Sequence, residues 1–144
     1  MKIVLQRVSE ASVIADGELT GEIQRGLLIL LGIEETDTEE TIEKLCKKIA
    51  ALRIFNDGND KMNLSCKDVD GDYLVISQFT LLADTSSGNR PSYTKAARPE
   101  TAKPLYEKFL LKLAETTGKN IQSGIFGADM KVKLINDGPV TILI

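Results

Sequence analysis

The sequence predicts an α+β fold in which two helices cover a mostly antiparallel, strongly twisted β-sheet. Three observations lead there. Short runs rich in Val, Ile and Leu occupy both ends of the chain, Asp-Gly turns punctuate them, and only two windows carry the apolar period of a helix.

The elements follow in order. KIVLQRV (2–8) is read as a first strand, and ASVIADGELTGEI (11–23) as a hairpin turning at Asp16-Gly17, because Asp-Gly suits the positive φ angles of a type I′ turn. GLLILLGI (26–33) is apolar throughout, the pattern of a strand buried on both faces. From Asp37 the period changes: Ile42, Leu45, Cys46 and Ile49 share one helix face, with Asp37 and Glu40 as a capping-box-like start. RIFNDGNDKMNLS (53–65) brings a short strand and a turn. DVDGDYLVISQFTL (68–81) supplies a second Asp-Gly turn and a long strand, with Tyr73, Val75, Ser77, Phe79 and Leu81 on one face and Leu74, Ile76, Gln78 and Thr80 on the other. ADTSSGNRPSYTKAARP (83–99) is turn-rich, aperiodic and long for a connection, a length that favours a functional role over a plain link. A second helix is expected from near Thr101, because Pro104 suits only a first turn; Leu105, Phe109 and Leu113 line its buried side and Thr116-Thr117-Gly118 ends it. IQSGIFGADMKVKLINDGPVTILI (121–144) reads as strands with a turn at 136–139, Met130, Val132 and Leu134 alternating with Lys131 and Lys133. Without repeats or low-complexity tracts, residues 1–144 are expected to form one domain.

Composition bounds the function. The chain has 144 residues, 42% of them hydrophobic, enough for a sizeable core without staples. GLLILLGI is far too short to cross a bilayer and the amino terminus lacks a signal-peptide layout, so a soluble cytoplasmic protein with no membrane contact is expected. The two cysteines, Cys46 and Cys66, form no C-x-x-C pair, and there is no histidine; no disulfide framework, zinc site or other transition-metal site is expected. Residues 1–87 hold nine Lys or Arg against sixteen Asp or Glu, whereas residues 88–144 hold nine against five. The basic part could meet a polyanion locally, while the acidic total argues against broad nonspecific nucleic-acid binding.

Three segments could carry chemistry. SQFTL (77–81) places Ser77, Gln78, Phe79 and Thr80 at the end of an apolar run. It is either plain strand or, through Gln78, Thr80 and nearby main-chain N–H groups, a polar floor for a substrate carbonyl. A serine or threonine nucleophile usually needs an imidazole base, and this chain has none, so either the hydroxyls are structural or the chemistry runs without a side-chain base. NDGPVT (136–141) is either a hairpin turn or a device that turns the main-chain carbonyls of Gly138 and Pro139 outward through a cis bond. GNRPSY (88–93) is either an exposed loop or a means of bringing Arg90 to a phosphate. Arg7, a cation within IVLQRV, needs a partner at a surface or interface, a salt bridge along the strand being the simpler reading. Cys46 is read as core, and Cys66 as unreactive because only Lys67 is basic beside it.

QRV (6–8), GLLILLGI, RIF (53–55), KMNLS (61–65), SQFTL, GNRPSY, FGADM (126–130) and NDGPVT together resemble the D-aminoacyl-tRNA deacylase family, the D-tyrosyl-tRNA(Tyr) deacylases of bacterial and eukaryotic type. The resemblance runs end to end. SQFTL paired with Asn-x-Gly-Pro-x-Thr is its most specific part, and Tyr93, where Phe is common, its one small departure. It implies a barrel-like sheet and a homodimer in which Gly138-Pro139, in cis, enters the other subunit's pocket with Arg7 holding the motif. Its carbonyls would receive the substrate's α-amino group and leave no room for an L side chain, so D-aminoacyl-tRNA and achiral glycyl-tRNA mischarged on tRNA(Ala) would be hydrolysed. Ser77, Gln78, Phe79 and Thr80 would form the catalytic pocket, Phe126 and Met130 would pack near the terminal adenosine, and Arg90 would serve substrate binding. The tRNA 2′-OH would assist, with no cofactor, metal or obligatory protein partner. Thr80 as a covalent nucleophile is the rival mechanism. Rival functions are a deacylase of L- or achiral mischarged tRNA and a noncatalytic dimeric nucleic-acid-binding module.

Overall fold

The computed structural model describes residues 1–144. Eight strands and two helices follow in the order β1 (Lys2–Ala15), β2 (Glu18–Ile23), β3 (Gly26–Gly32), α1 (Glu39–Ala51), β4 (Arg53–Asn56), β5 (Met62–Ser65), β6 (Asp72–Ser77), α2 (Pro99–Thr117), β7 (Ile121–Ser123) and β8 (Met130–Leu143), with a 3-10 turn at Phe79–Leu82. β1 runs antiparallel to β2, β3 and β8, whereas β3–β6 and β6–β7 are parallel, giving the order β2-β1-β3-β6-β7 with β8 also on β1; β4 and β5 form a separate antiparallel pair. The sheet is nearly closed into a barrel. Its two ends meet where Gly21 of β2 lies against Ser123 of β7, so close that a Cβ there would sit 3.0 Å from the Ser123 carbonyl oxygen.

The alternation expected in β6 holds from Tyr73 to Ile76. Tyr73 and Val75 enter the main core with Leu5, Ile29, Cys46 and Phe109, while Leu74 and Ile76 enter a second core with Val8, Val13 and Leu28 on the other face. Ile42, Cys46 and Ile49 of α1 are buried as the helical period requires, and α2 buries Ala102, Tyr106, Phe109, Leu113 and Thr117, with Leu105 only half-buried. No helix is long and apolar enough to cross a membrane.

Four local expectations are corrected. α1 is capped by Thr38 and Thr41, not Asp37 and Glu40; the Asp37 carboxylate instead accepts the Glu34 N–H at 2.7 Å and pairs with the amino terminus. α2 begins at Pro99, so Pro104 lies inside it, past the first turn. The strand of SQFTL stops at Ser77, because its parallel partner β3 ends at Gly32 and leaves no ladder to continue. The Asn136–Pro139 segment reverses nothing: it lies inside a single strand, β8, whose two halves both pair with β1.

Candidate active site

Beyond Ser77 the chain turns sharply. The Gln78 N–H still reaches the Leu31 carbonyl at 2.8 Å, and the Leu81 N–H then bonds back to the Gln78 carbonyl at 3.2 Å, opening the 3-10 turn. The N–H groups of Phe79 and Thr80 lead this turn and have no partner within it. Gln78 Nε2 donates to Thr80 Oγ1, so these two side chains meet as expected, but through the turn and not by strand alternation. The Phe79 ring is 58% exposed and stands edge-on to Tyr93, with centroids 5.1 Å apart. Tyr93 belongs to the long loop, whose Asp84 and Ser92 are bridged by backbone bonds of 2.8 and 2.9 Å.

This turn forms one wall of a cleft of about 500 Å³. Ser77, Gln78 and Phe79 line it together with Pro99 and Ala102 of α2, and Phe126, Ala128, Met130, Val132, Leu31 and Ile33 complete the lining. No ionisable side chain lines it. Phe126 is backed by the Tyr106 ring at 5.7 Å, and Tyr106 is itself fixed by its hydroxyl donating to the Val75 carbonyl at 2.9 Å. The cysteines are no substitute nucleophiles. Both are buried, and that burial pushes the Cys46 thiol up to about 12 and the Cys66 thiol up to about 11.

A second cluster is built where β8 leaves β1. Thr141 opposes Gln6 and Asn136 opposes Val8, so Asp137, Gly138, Pro139 and Val140 stand against Arg7 alone. Proline has no N–H to give a ladder, which is why the pairing breaks here. The Gly138–Pro139 peptide is cis, Gly138 has φ 131°, and both residues are exposed. Side chains replace the missing ladder bonds. Arg7 Nε donates to the Asp137 carbonyl at 2.9 Å, while Arg7 Nη1 donates to the Ile54 carbonyl at 2.8 Å and to Asn56 Oδ1 at 3.1 Å. Asn136 Oδ1 accepts the Val140 N–H at 2.9 Å, and Asn136 Nδ2 donates to Thr141 Oγ1 at 3.0 Å. The partner that Arg7 needs is thus mainly main-chain carbonyl, supplemented by the Asp137 carboxylate at 3.6 Å.

Within one chain the structure brings Ser77, Gln78, Phe79, Phe126 and Met130 to the cleft, with Thr80 beside them on Gln78. Arg7, Gly138 and Pro139 assemble with one another in the bulge and do not line the cleft. Arg90 is exposed on the long loop and forms no ion pair. Sequence reasoning missed Asn56, whose side chain braces Arg7 from β4, and Ala97, Pro99 and Ala102, which shape the cleft. No polar signal marks the last three. Asn56 could have been found only by knowing that β4 passes beside β1.

The model of the D-Tyr-tRNA(Tyr) deacylase family matches residues 4–144. D-aminoacyl-tRNA deacylase of Flavobacterium johnsoniae is 59% identical over 99% of this chain and 95% of its own length, and that of Bacteroides fragilis strain YCH46 is 59% identical over 100% and 96%. Among solved structures, one described as c-Myc DNA unwinding element binding protein superposes with a TM-score of 0.94 at 42% identity, covering 100% of this chain and 97% of that one. A probable eukaryotic D-amino acid tRNA deacylase shares the fold, with a TM-score of 0.86 at 15% identity over 99% and 97%. The chain belongs to the D-Tyr-tRNA(Tyr) deacylase family, hydrolases of D-aminoacyl-tRNA.

Proposed function

We propose that the cleft at Ser77–Thr80 holds the aminoacyl ester at the acceptor end of D-aminoacyl-tRNA while the Gly138-Pro139 bulge of a second copy closes it and judges handedness. The observation that carries this reading is a cleft without ionisable walls, lined by Ser77, Gln78 and Phe79 where the 3-10 turn begins. Such a site offers no general base, but it can stabilise charge developing on an ester oxygen. The free N–H groups of Phe79 and Thr80 would take the carbonyl oxygen, with Gln78 fixing the Thr80 hydroxyl. Water attacks the carbonyl carbon and the ribose oxygen leaves with a proton, the neighbouring 2′-OH assisting the transfer. Phe126 and Met130 supply apolar surface for the terminal adenosine. The reaction takes place in the cytoplasm, on charged tRNA.

The bulge suits the other half of the task. It is exposed and outside the ladder, so the Gly138 and Pro139 carbonyls are not committed to β1, and it is rigidly braced through Arg7 and Asn136. Main-chain atoms that receive an α-amino group ignore the identity of a D side chain and collide with an L one. Glycine, with no side chain to reject, passes, so glycyl-tRNA(Ala) is a substrate as well. A homodimer follows, because one chain's bulge does not line its own cleft, and light scattering is expected to give twice the chain mass.

The direct test is the decay of D-tyrosyl-tRNA with and without the purified protein; equal persistence of the ester rejects the activity. Thr80→Ala is expected to keep measurable turnover, since the donor at this position is the main-chain N–H, and complete loss in a folded variant would favour a covalent threonine. Asn56→Ala, which removes one acceptor from Arg7, is expected to lower kcat/KM about threefold to tenfold, on the order of 1 kcal/mol for one hydrogen bond. Asn56→Asp, which keeps an acceptor oxygen, should restore it. A second reading, binding to nucleic acid without catalysis, takes its support from the description of the 42% identical structure, which names a DNA element. Salt-sensitive binding with no ester hydrolysis would favour it.

A further inference from the structure

Most cations near the helices are neutralised by carboxylates: Lys44 by Glu40, Lys47 by Glu43, Lys108 by Glu39 and Lys112 by Glu115. The stretch that crosses the rim of the cleft is different. Arg90, Lys95, Arg98 and Lys103 are all exposed, and none of them forms an ion pair. Ala97, Pro99 and Ala102, interleaved with these cations, line the cleft itself. Arg98, the N-cap residue of α2, engages its backbone N–H but makes no side-chain hydrogen bond or ion pair, so its guanidinium is free to meet a ligand. Carboxylates lie nearby, among them Glu34, bridged to Ala96, and Glu107, one turn of α2 from Lys103, but none forms an ion pair with these four cations. Glu100 sits in the first turn of α2, Glu35 accepts the Arg98 backbone N–H at 2.7 Å, and Asp84 has a carboxyl held low chiefly by the Ser86 hydroxyl and secondarily by Lys95 and Lys2.

Unpaired cations gathered beside a cleft, on a chain that is acidic overall, create a local positive field that a polyanion would occupy. We propose that Arg90, Lys95, Arg98 and Lys103 form a phosphate-binding tract that grips the RNA backbone of the acceptor end as it leaves the cleft; this rests on the hydrolytic reading above. With the aminoacyl group among apolar walls, the cleft itself contributes no charge, and this rim supplies the electrostatic part of substrate affinity. Each cation that meets a phosphate releases condensed counterions, which makes its contribution steeply salt-dependent and independent of base sequence.

The test uses two substrates that carry the same ester with and without the polynucleotide backbone: full-length D-tyrosyl-tRNA and the minimal ester D-tyrosyl-adenosine. In the triple variant Lys95→Ala/Arg98→Ala/Lys103→Ala, kcat/KM on the tRNA is expected to fall roughly tenfold or more at moderate salt, through KM and not kcat. The slope of log kcat/KM against log salt should flatten by about 3, one for each lost phosphate contact. The effect on the minimal ester should stay within about twofold, the change expected when no contact is lost. Lys95→Arg/Lys103→Arg, which keeps both charges, should retain wild-type behaviour. An equal loss on both substrates would show that the stretch merely shapes the cleft, and an unchanged salt slope on tRNA would show that it meets no phosphate; either overturns the tract. A wild-type protein inactive on both esters overturns the hydrolytic reading first, and the tract with it.

Discussion

Gly138→Ala is expected to lower hydrolysis of D-tyrosyl-tRNA by about a hundredfold or more while leaving the fold intact, the penalty typical of misplacing a positioning group by about 1 Å. The added methyl meets atoms that are held in place. It would lie 2.8 Å from Arg7 Nη2, 2.8 Å from Val140 Cγ2 and 3.2 Å from the Val140 nitrogen. Arg7 cannot easily retreat, because its other nitrogens are engaged by Ile54, Asn56 and Asp137. The backbone opposes the change as well: at φ 131° a side chain costs about 1–3 kcal/mol. The bulge must therefore shift. Because Asp137 to Val140 lie outside the ladder, the β1–β8 pairs on both sides survive, and circular dichroism should match the wild type. Unchanged kinetics would contradict the role assigned to the bulge.

Arg7→Ala is expected to do damage on two fronts. The residue is 8% exposed and its side chain bridges three segments, β1, β4 and the bulge. Its removal strands the buried Ile54 carbonyl and the Asp137 carbonyl, at a cost of about 3 kcal/mol in a urea titration. The same variant frees the bulge, so D-ester hydrolysis should fall at least tenfold, as for a lost charged hydrogen bond in a positioning contact. Arg7→Lys should lie between, since an ammonium offers one point charge where the guanidinium offers a fork. Loss of stability with full retention of the preference for D over L would confine Arg7 to a structural role.

How much of this was legible depends on whether the cause was local. The Asp16-Gly17 turn, the buried faces of α1 and α2 and the alternation of Tyr73 to Ile76 each follow from neighbours within a few residues, and all appear in the structure. The failures trace to distant partners. Phe79 and Leu81 keep the strand period in sequence, but the ladder ends because β3 ends. Asp37 loses the cap to Thr38 because the amino terminus, thirty-six residues away, claims its carboxylate. NDGPVT looks like a reversal until both of its flanks are seen to pair with β1. At the site, polar and aromatic residues stood out by type, whereas Ala97 and Ala102 carry no chemical mark and matter only for the space they leave.

The most direct measurement of the central claim is a parallel time course of ester loss from D-tyrosyl-tRNA and L-tyrosyl-tRNA with the same protein sample. The expected result is a rate ratio of about a thousandfold in favour of the D-ester, which corresponds to roughly 4 kcal/mol of differential transition-state stabilisation. Equal rates for the two esters would contradict it.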